Sequence, residues 1–247
     1  RAMGYNVRLF AGYEKEAYDF DEKYMGRLRR ELRKGTDFVF SYNYFPDASR
    51  VCEEEGIPYV AWLFDVTFMV TLSKTISNKC NFIFSFDTRQ AEEIKQRGAK
   101  HVYVLPLGTY MRNEVPQFHS SERKYDVSFM GTSYNDSYYW LSQIKYLPEN
   151  VKGYLDAVVL AQTGQYEMDF VSRLIEGEWV EELQKYAKVD LGEAYIPDMA
   201  EIFRGWVYRA VTVKERRDFL HAISARFQVT VASQKRPEDI KCSFVGF

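Results

Sequence analysis

Four short runs decide the fold: DFVFSY at residues 37–42, PYVAWLF at 58–64, NFIFSF at 81–86 and HVYVLPL at 101–107. Each is a bounded apolar stretch rich in aromatic and β-branched residues, the composition that suits a pleated and largely buried strand. Comparable positions Phe38, Tyr59, Phe82 and Val102 recur at separations of 21, 23 and 20 residues. That spacing leaves room for a short crossover between consecutive strands, and strands joined by such crossovers make a parallel sheet with covered faces. In sheets of this kind ligands bind beyond the carboxyl ends of the strands. Those ends carry Asn43 and Tyr44, Asp65, Asp87 and Gly108.

The crossovers carry their own signals. Pro46 opens a helix that runs to Glu55 and closes at Gly56, the expected placement of the two residue types. Thr88, beside Asp87, caps a second helix with Ala91 and Ile94 inward and Gly98 as its C-cap. The segment between Asp65 and Asn81 is less clearly helical. Upstream, Asn6–Ala11 reads as a strand. Residues 15–34 read as a charged helix with Tyr24, Leu28 and Leu32 on one stripe, and its basic stretch Arg27–Arg33 reads as a solvated face.

Residues 109–124 lack periodicity and contain Pro116, Ser120 and Ser121, so they read as a linker. The pattern then restarts with a strand at Tyr125–Met130, a tight turn at Gly131-Thr132-Ser133, and a helical insertion over about 135–226. Its stripes include Leu155, Val158 and Val159, then Ile202, Phe203, Trp206 and Val207, then Phe219, Leu220 and Ile223 as a separate helix. Phe227–Ala232 and Cys242–Phe247 read as further strands. The expected organisation is a Rossmann-like domain over 1–108, a linker, and over 125–247 a second, partial one interrupted by helices. A helix tail at Arg1–Met3 and an apolar run ending at Phe247 suggest sequence missing at both ends.

Composition narrows the function. The 247 residues have 28 % charged and 46 % hydrophobic content, an ordinary globular balance, and a formal net charge of −2 gives no footprint for nucleic acid. Aromatics reach 17 %, which suits core filling as well as stacking on a sugar or base. No run approaches a membrane span. Three cysteines (Cys52, Cys80, Cys242) without metal spacing read as reduced thiols of a cytoplasmic protein. His101, His119 and His221 are scattered, so no metal site is expected. G-x-G-x-x-G, Walker, G-x-S-x-G and H-E-x-x-H sequences are all absent.

Two local features carry chemistry. In DVSFMGTS (126–133) a strand ends in Gly131, where backbone N–H groups and the Thr132 and Ser133 hydroxyls would hold a diphosphate; the plain alternative is a strand-to-helix turn. Asp65 and Asp87 stand at strand ends, where a carboxylate can hold or deprotonate a substrate hydroxyl. The alternative for Asp87 is a helix cap, for Asp65 a turn, and for Asn43 and Tyr44 a turn before Pro46.

The runs SYNYFP (41–46), IPYVAWLFD (57–65), KCNFIFSFD (79–87) and HVYVLPLG (101–108), with DVSFMGTS and KGYLDAVVLAQ (152–162), resemble the CgeB-like glycosyltransferases, bacterial proteins associated with spore maturation. The resemblance implies a GT-B fold of two facing Rossmann-like domains. It also implies a nucleotide-sugar co-substrate, no bound cofactor or metal, and transfer of a sugar to an acceptor. By position Gly131, Thr132 and Ser133 would face the donor, while Asn43, Tyr44, Asp65, Asp87 and Gly108 would line the acceptor side, with Asp65 as the base of an inverting reaction. The family's remaining donor-binding residues would lie beyond Phe247. The competing expectation is a non-catalytic binding or assembly module using aromatics such as Tyr138, Tyr139 and Trp140.

Overall fold

The computed structural model describes residues 4–11, 20–65, 69–108, 124–132, 146–187, 198–237 and 239–246. Among them the chain is a mixed α/β protein with two parallel sheets, one of four strands and one of three. Its contacts divide it into two units, the first reaching residue 109 and the second holding nearly all of the remainder.

In the first unit, β1 (Val39–Tyr42), β2 (Tyr59–Trp62), β3 (Asn81–Ser85) and β4 (His101–Val104) lie in chain order, each parallel to the last. Every crossover therefore steps the same way across the sheet, and right-handed connections then put all of the crossovers on one face. On that face α2 (Pro46–Glu55) and α3 (Thr88–Gln96) cover Tyr59, Ala61, Leu63, Ile83 and Val102. Outside α2 lies α1 (Glu22–Leu32), with Tyr24, Met25, Leu28 and Leu32 buried.

The helix ends follow local chemistry. Pro46 starts α2, and Gly56 ends it at φ 67°, in the left-handed region where glycine has no β-carbon to clash. Asp87 caps α3 by accepting the Gln90 N–H, so Thr88 is the first helical residue rather than the cap. The basic stretch of α1 is tied to α2. Arg33 grips Glu55 through Nε at 2.9 Å and Nη2 at 2.7 Å, and Arg29 bonds to Glu54.

Two expectations are corrected. Asn6–Ala11 joins no ladder among the described residues. Its side chains run along α1 instead, with Phe10 against Tyr24 and Arg8 bonded to the Gly35 carbonyl at 2.9 Å. Among the described residues the first helix begins at Glu22, where Asp21 caps it by accepting the Lys23 and Tyr24 N–H groups; residues 15–19 of the expected helix lie outside them. The crossover from β2 to β3, the one less clearly helical in sequence, contains among its described residues two 3-10 turns, Met69–Leu72 and Lys74–Ser77. Beneath them Asn81 donates to the carbonyls of Thr75 at 2.8 Å and Ile76 at 3.1 Å and accepts from Ser49 Oγ at 2.7 Å. Two carbonyls that an α-helix would satisfy internally are met here by one buried amide.

In the second unit β5 (Val127–Met130), β6 (Val229–Ser233) and β7 (Ser243–Gly246) are parallel and in that order. Between β5 and β6 run α4 (Glu149–Thr163), α5 (Phe170–Leu174), α6 (Glu178–Gln184) and α7 (Met199–Ser224). The stripe of α4 is buried through Leu155, Val158 and Val159, and that of α7 through Ile202, Phe203, Trp206 and Val207. The expected separate helix around Phe219 is the last part of α7, a single helix of 26 residues, with Phe219 exposed and Leu220 buried. Leu220 joins Val229, Val231 and Ile240 in the core beside β6.

The linker, apart from Lys124, lies outside the described residues, as do Tyr138, Tyr139 and Trp140. Cys52, Cys80 and Cys242 are free thiols, and burial pushes the Cys52 thiol up to about 12. No described helix is long and apolar enough to cross a membrane.

Candidate functional site

The carboxyl ends of β1, β2 and β3 form one polar edge, and Asn43 is its centre. Asn43 sits at φ 61°, the left-handed region that residues with a β-carbon seldom adopt and that asparagine tolerates best. All four of its polar groups are engaged. Its N–H donates to the Trp62 carbonyl at 2.8 Å, and its own carbonyl accepts from Ser41 Oγ at 2.6 Å. Its Oδ1 accepts the Phe64 N–H at 2.9 Å, and its Nδ2 donates to Asp65 Oδ2 at 3.0 Å. The Phe64 N–H fixes which end of the amide is oxygen, so the nitrogen must face the carboxylate.

A second layer holds this arrangement. Tyr59, fully buried on β2, places its hydroxyl 2.7 Å from Ser41 Oγ and 2.9 Å from the Phe45 N–H. Ser41 has one proton and gives it to Asn43, so Tyr59 donates to Ser41 and accepts from Phe45. Burial keeps the Tyr59 phenol protonated, its pKa raised well above the ordinary value.

Asp65 is exposed, and one of its carboxylate oxygens is held by Asn43. The other has no partner among the described residues. Its backbone carbonyl accepts from Gln90 Nε2 at 2.8 Å, while Gln90 Oε1 lies 2.7 Å from Ser85 Oγ. The Gln90 N–H in turn reaches Asp87 Oδ1 at 2.6 Å. The structure thus joins Asn43, Asp65 and Asp87 in one hydrogen-bonded chain through Gln90. Its arrangement can hold a hydroxyl at a carboxylate whose position is fixed from behind.

Tyr44 and Gly108, the other expected residues of this edge, stand outside that group. Tyr44 is fully buried, and its hydroxyl lies 2.8 Å from Thr75 Oγ1, so its ring belongs to the core behind the edge. Asp87 engages a carboxylate oxygen as the cap of α3. Gly108 lies four residues past the end of β4, exposed. Sequence reasoning missed Ser41, Tyr59, Ser85 and Gln90. For Gln90 a signal existed: a polar residue on the same inward stripe as Ala91 and Ile94.

In the second unit, Gly131 and Thr132 follow β5. The Gly131 N–H donates to the Ala232 carbonyl at 3.1 Å, so it extends the ladder and is not open to a ligand, contrary to the expectation for this turn. The Thr132 carbonyl accepts from Arg216 of α7 at 2.7 Å. Thr132 Oγ1 and Ser233 Oγ, at the ends of adjacent strands, are buried without hydrogen-bond partners among the described residues. Unsatisfied buried hydroxyls are uncommon and call for a reason. Ser133 lies outside the described residues.

No protein-family model, no curated protein and no solved structure matches this chain.

Proposed function

We propose that the chain belongs to a glycosyltransferase of GT-B type, which moves a sugar from a nucleotide-sugar to a hydroxyl acceptor. The observation that carries this reading is Asp65: an exposed carboxylate at the carboxyl end of a parallel strand, fixed through one oxygen by a conformationally strained asparagine. Strain of that kind persists where the surroundings over-determine it, and it clusters at functional sites.

In this reading an acceptor hydroxyl binds the second oxygen of Asp65. In an inverting reaction the carboxylate takes the hydroxyl proton as the oxygen attacks the anomeric carbon. The bond from that carbon to the diphosphate breaks, and its electron pair leaves with the nucleoside diphosphate. If configuration is retained, Asp65 holds the hydroxyl without removing its proton. On the donor side, the Thr132 N–H and hydroxyl are the groups at the β5 turn suited to a phosphate oxygen. The unsatisfied Thr132 and Ser233 hydroxyls support this placement.

The non-catalytic reading has one observation in its favour, the exposed aromatic residues on the first sheet, since such patches mark interaction surfaces. A thermal-shift panel of nucleotide-sugars separates the two. A bound donor at a hundredfold excess over its Kd stabilises the fold by about 2.7 kcal/mol. Gly131→Val abolishes that response by obstructing the turn. Its β-carbon would already meet the Phe129 ring at 3.3 Å, so the variant's own unfolding midpoint is measured alongside. Indifference of the wild-type protein to every nucleotide-sugar favours the binding module.

A further inference from the structure

The face of the first sheet opposite α2 and α3 is crossed by two rows of mostly aromatic residues. Strand register aligns Tyr42 with Trp62, Trp62 with Phe84, and Phe84 with Tyr103. A second row runs through Phe40, Val60, Phe82 and His101. The first row ends at the polar edge. There Tyr42, Trp62 and Phe64 form a mutually contacting triad, with centroid separations of 5.0 Å for Tyr42–Phe64, 5.4 Å for Trp62–Phe64 and 6.1 Å for Tyr42–Trp62. Tyr42 is 59 % exposed and Phe64 40 %, unlike the buried residues of the opposite face. Asn43 directly follows Tyr42, and Asp65 directly follows Phe64. Trp62 Nε1 is buried and has no hydrogen-bond partner among the described residues.

We infer that this triad and the Asn43–Asp65 pair together form a pyranose-binding subsite, so that the acceptor is itself a carbohydrate. A pyranose has an apolar face of axial C–H groups and a rim of hydroxyls. The face matches an exposed aromatic ring, and the rim matches a carboxylate that accepts and an amide that donates. The chain brings the two kinds of group to the same end of the sheet: the Tyr42 and Phe64 rings pack together, and the residues that follow them, Asn43 and Asp65, bond to each other at the strand ends. A simple apolar contact face would not need a carboxylate and a strained amide fixed at its margin. A simple helix-capping turn would not need exposed rings beside it. The inference rests on the transferase reading in taking Asp65 as the partner of the acceptor hydroxyl.

The test is saturation-transfer NMR on the protein with methyl pyranosides of gluco, galacto, manno and N-acetylglucosaminyl configuration, followed by titration of those that bind. Transfer is expected on the protons of one pyranose face. Tyr42→Ala is expected to weaken binding at least about tenfold, and Tyr42→Phe to keep it within about twofold, since stacking needs the ring and not its hydroxyl. Asp65→Asn, which leaves the rings in place, is also expected to weaken it. Tyr103→Ala removes an exposed ring at the far end of the same row and should leave binding unchanged. The inference is overturned if no pyranoside receives transfer, if Tyr42→Ala and Asp65→Asn bind like the wild type, or if Tyr103→Ala weakens binding as much as Tyr42→Ala. Nucleotide-sugar stabilisation is measured on the same samples. A donor response without pyranoside binding overturns the subsite and leaves transfer standing. Pyranoside binding without a donor response supports the subsite and counts against transfer.

Discussion

Asn43 Nδ2 lies 3.0 Å from Asp65 Oδ2, a bond between the ends of adjacent parallel strands made by residues 22 apart in sequence. It ties the left-handed backbone just past β1 to the orientation of Asp65, an exposed carboxylate past the end of β2. Anything that relaxes Asn43 therefore also releases Asp65.

Substitutions at position 43 should follow that coupling. Asn43→Ala loses both side-chain bonds and keeps a β-carbon in the left-handed region, so it is expected to destabilise by about 2–3 kcal/mol. Asn43→Gly relieves the strain and should be milder. Asn43→Asp sets two carboxylates together, and its stability should rise as pH falls, because protonating either one removes the repulsion. Denaturant midpoints of the three variants across pH check the order. Equal destabilisation by Ala and Gly would show that the strain contributes nothing.

Tyr44 separates a core role from a site role. Its hydroxyl meets Thr75 Oγ1 and accepts from Asn81 at 3.4 Å, and burial raises its pKa far above the ordinary phenol value. Tyr44→Phe is expected to lower stability by about 1 kcal/mol and to leave kcat/KM for sugar transfer unchanged. A loss of activity with no loss of stability would return Tyr44 to the acceptor side.

The clamp between α1 and α2 gives a pH dependence of definite sign. Arg33 donates to Glu55 and, with the charge of Arg29 beside it, holds the carboxyl below its ordinary pKa. A carboxyl depressed in the folded state stabilises above the unfolded pKa, and that contribution disappears as pH falls through the folded value. Stability should therefore decline on acidification below the usual carboxylate range. In Glu55→Gln that decline should be shallower, and added salt should reduce the wild-type slope. An unchanged acid limb in Glu55→Gln would assign the decline to other carboxyls.

The strands were legible because each apolar run is bounded by residues that end it. The helix α2 was legible because Pro46 and Gly56 act locally. What was not legible depended on partners distant in sequence. Asn6–Ala11 has the composition of a strand, yet ladder membership is decided by a neighbour, and the segment lies against α1. The stripe of α7 lapses across its polar stretch and resumes with Phe219 exposed, so a period count splits one helix in two. At the edge, Asn43 and Asp65 were legible as strand ends, but their bond needs the register that pairs Tyr42 with Trp62. Ser41 and Tyr59 act only through that register, and no local pattern marks them, whereas Gln90 shares the inward stripe of Ala91 and Ile94.

Consumption of nucleotide-sugar tests the central claim most directly. Wild-type protein and Asp65→Ala are compared for nucleoside diphosphate released from a donor panel in the presence of a mixed pyranoside acceptor pool. The wild type is expected to turn over at least one donor in an acceptor-dependent way, with kcat/KM falling at least about a hundredfold in Asp65→Ala. No acceptor-dependent release from any donor, or full activity in a folded Asp65→Ala variant, would contradict the account.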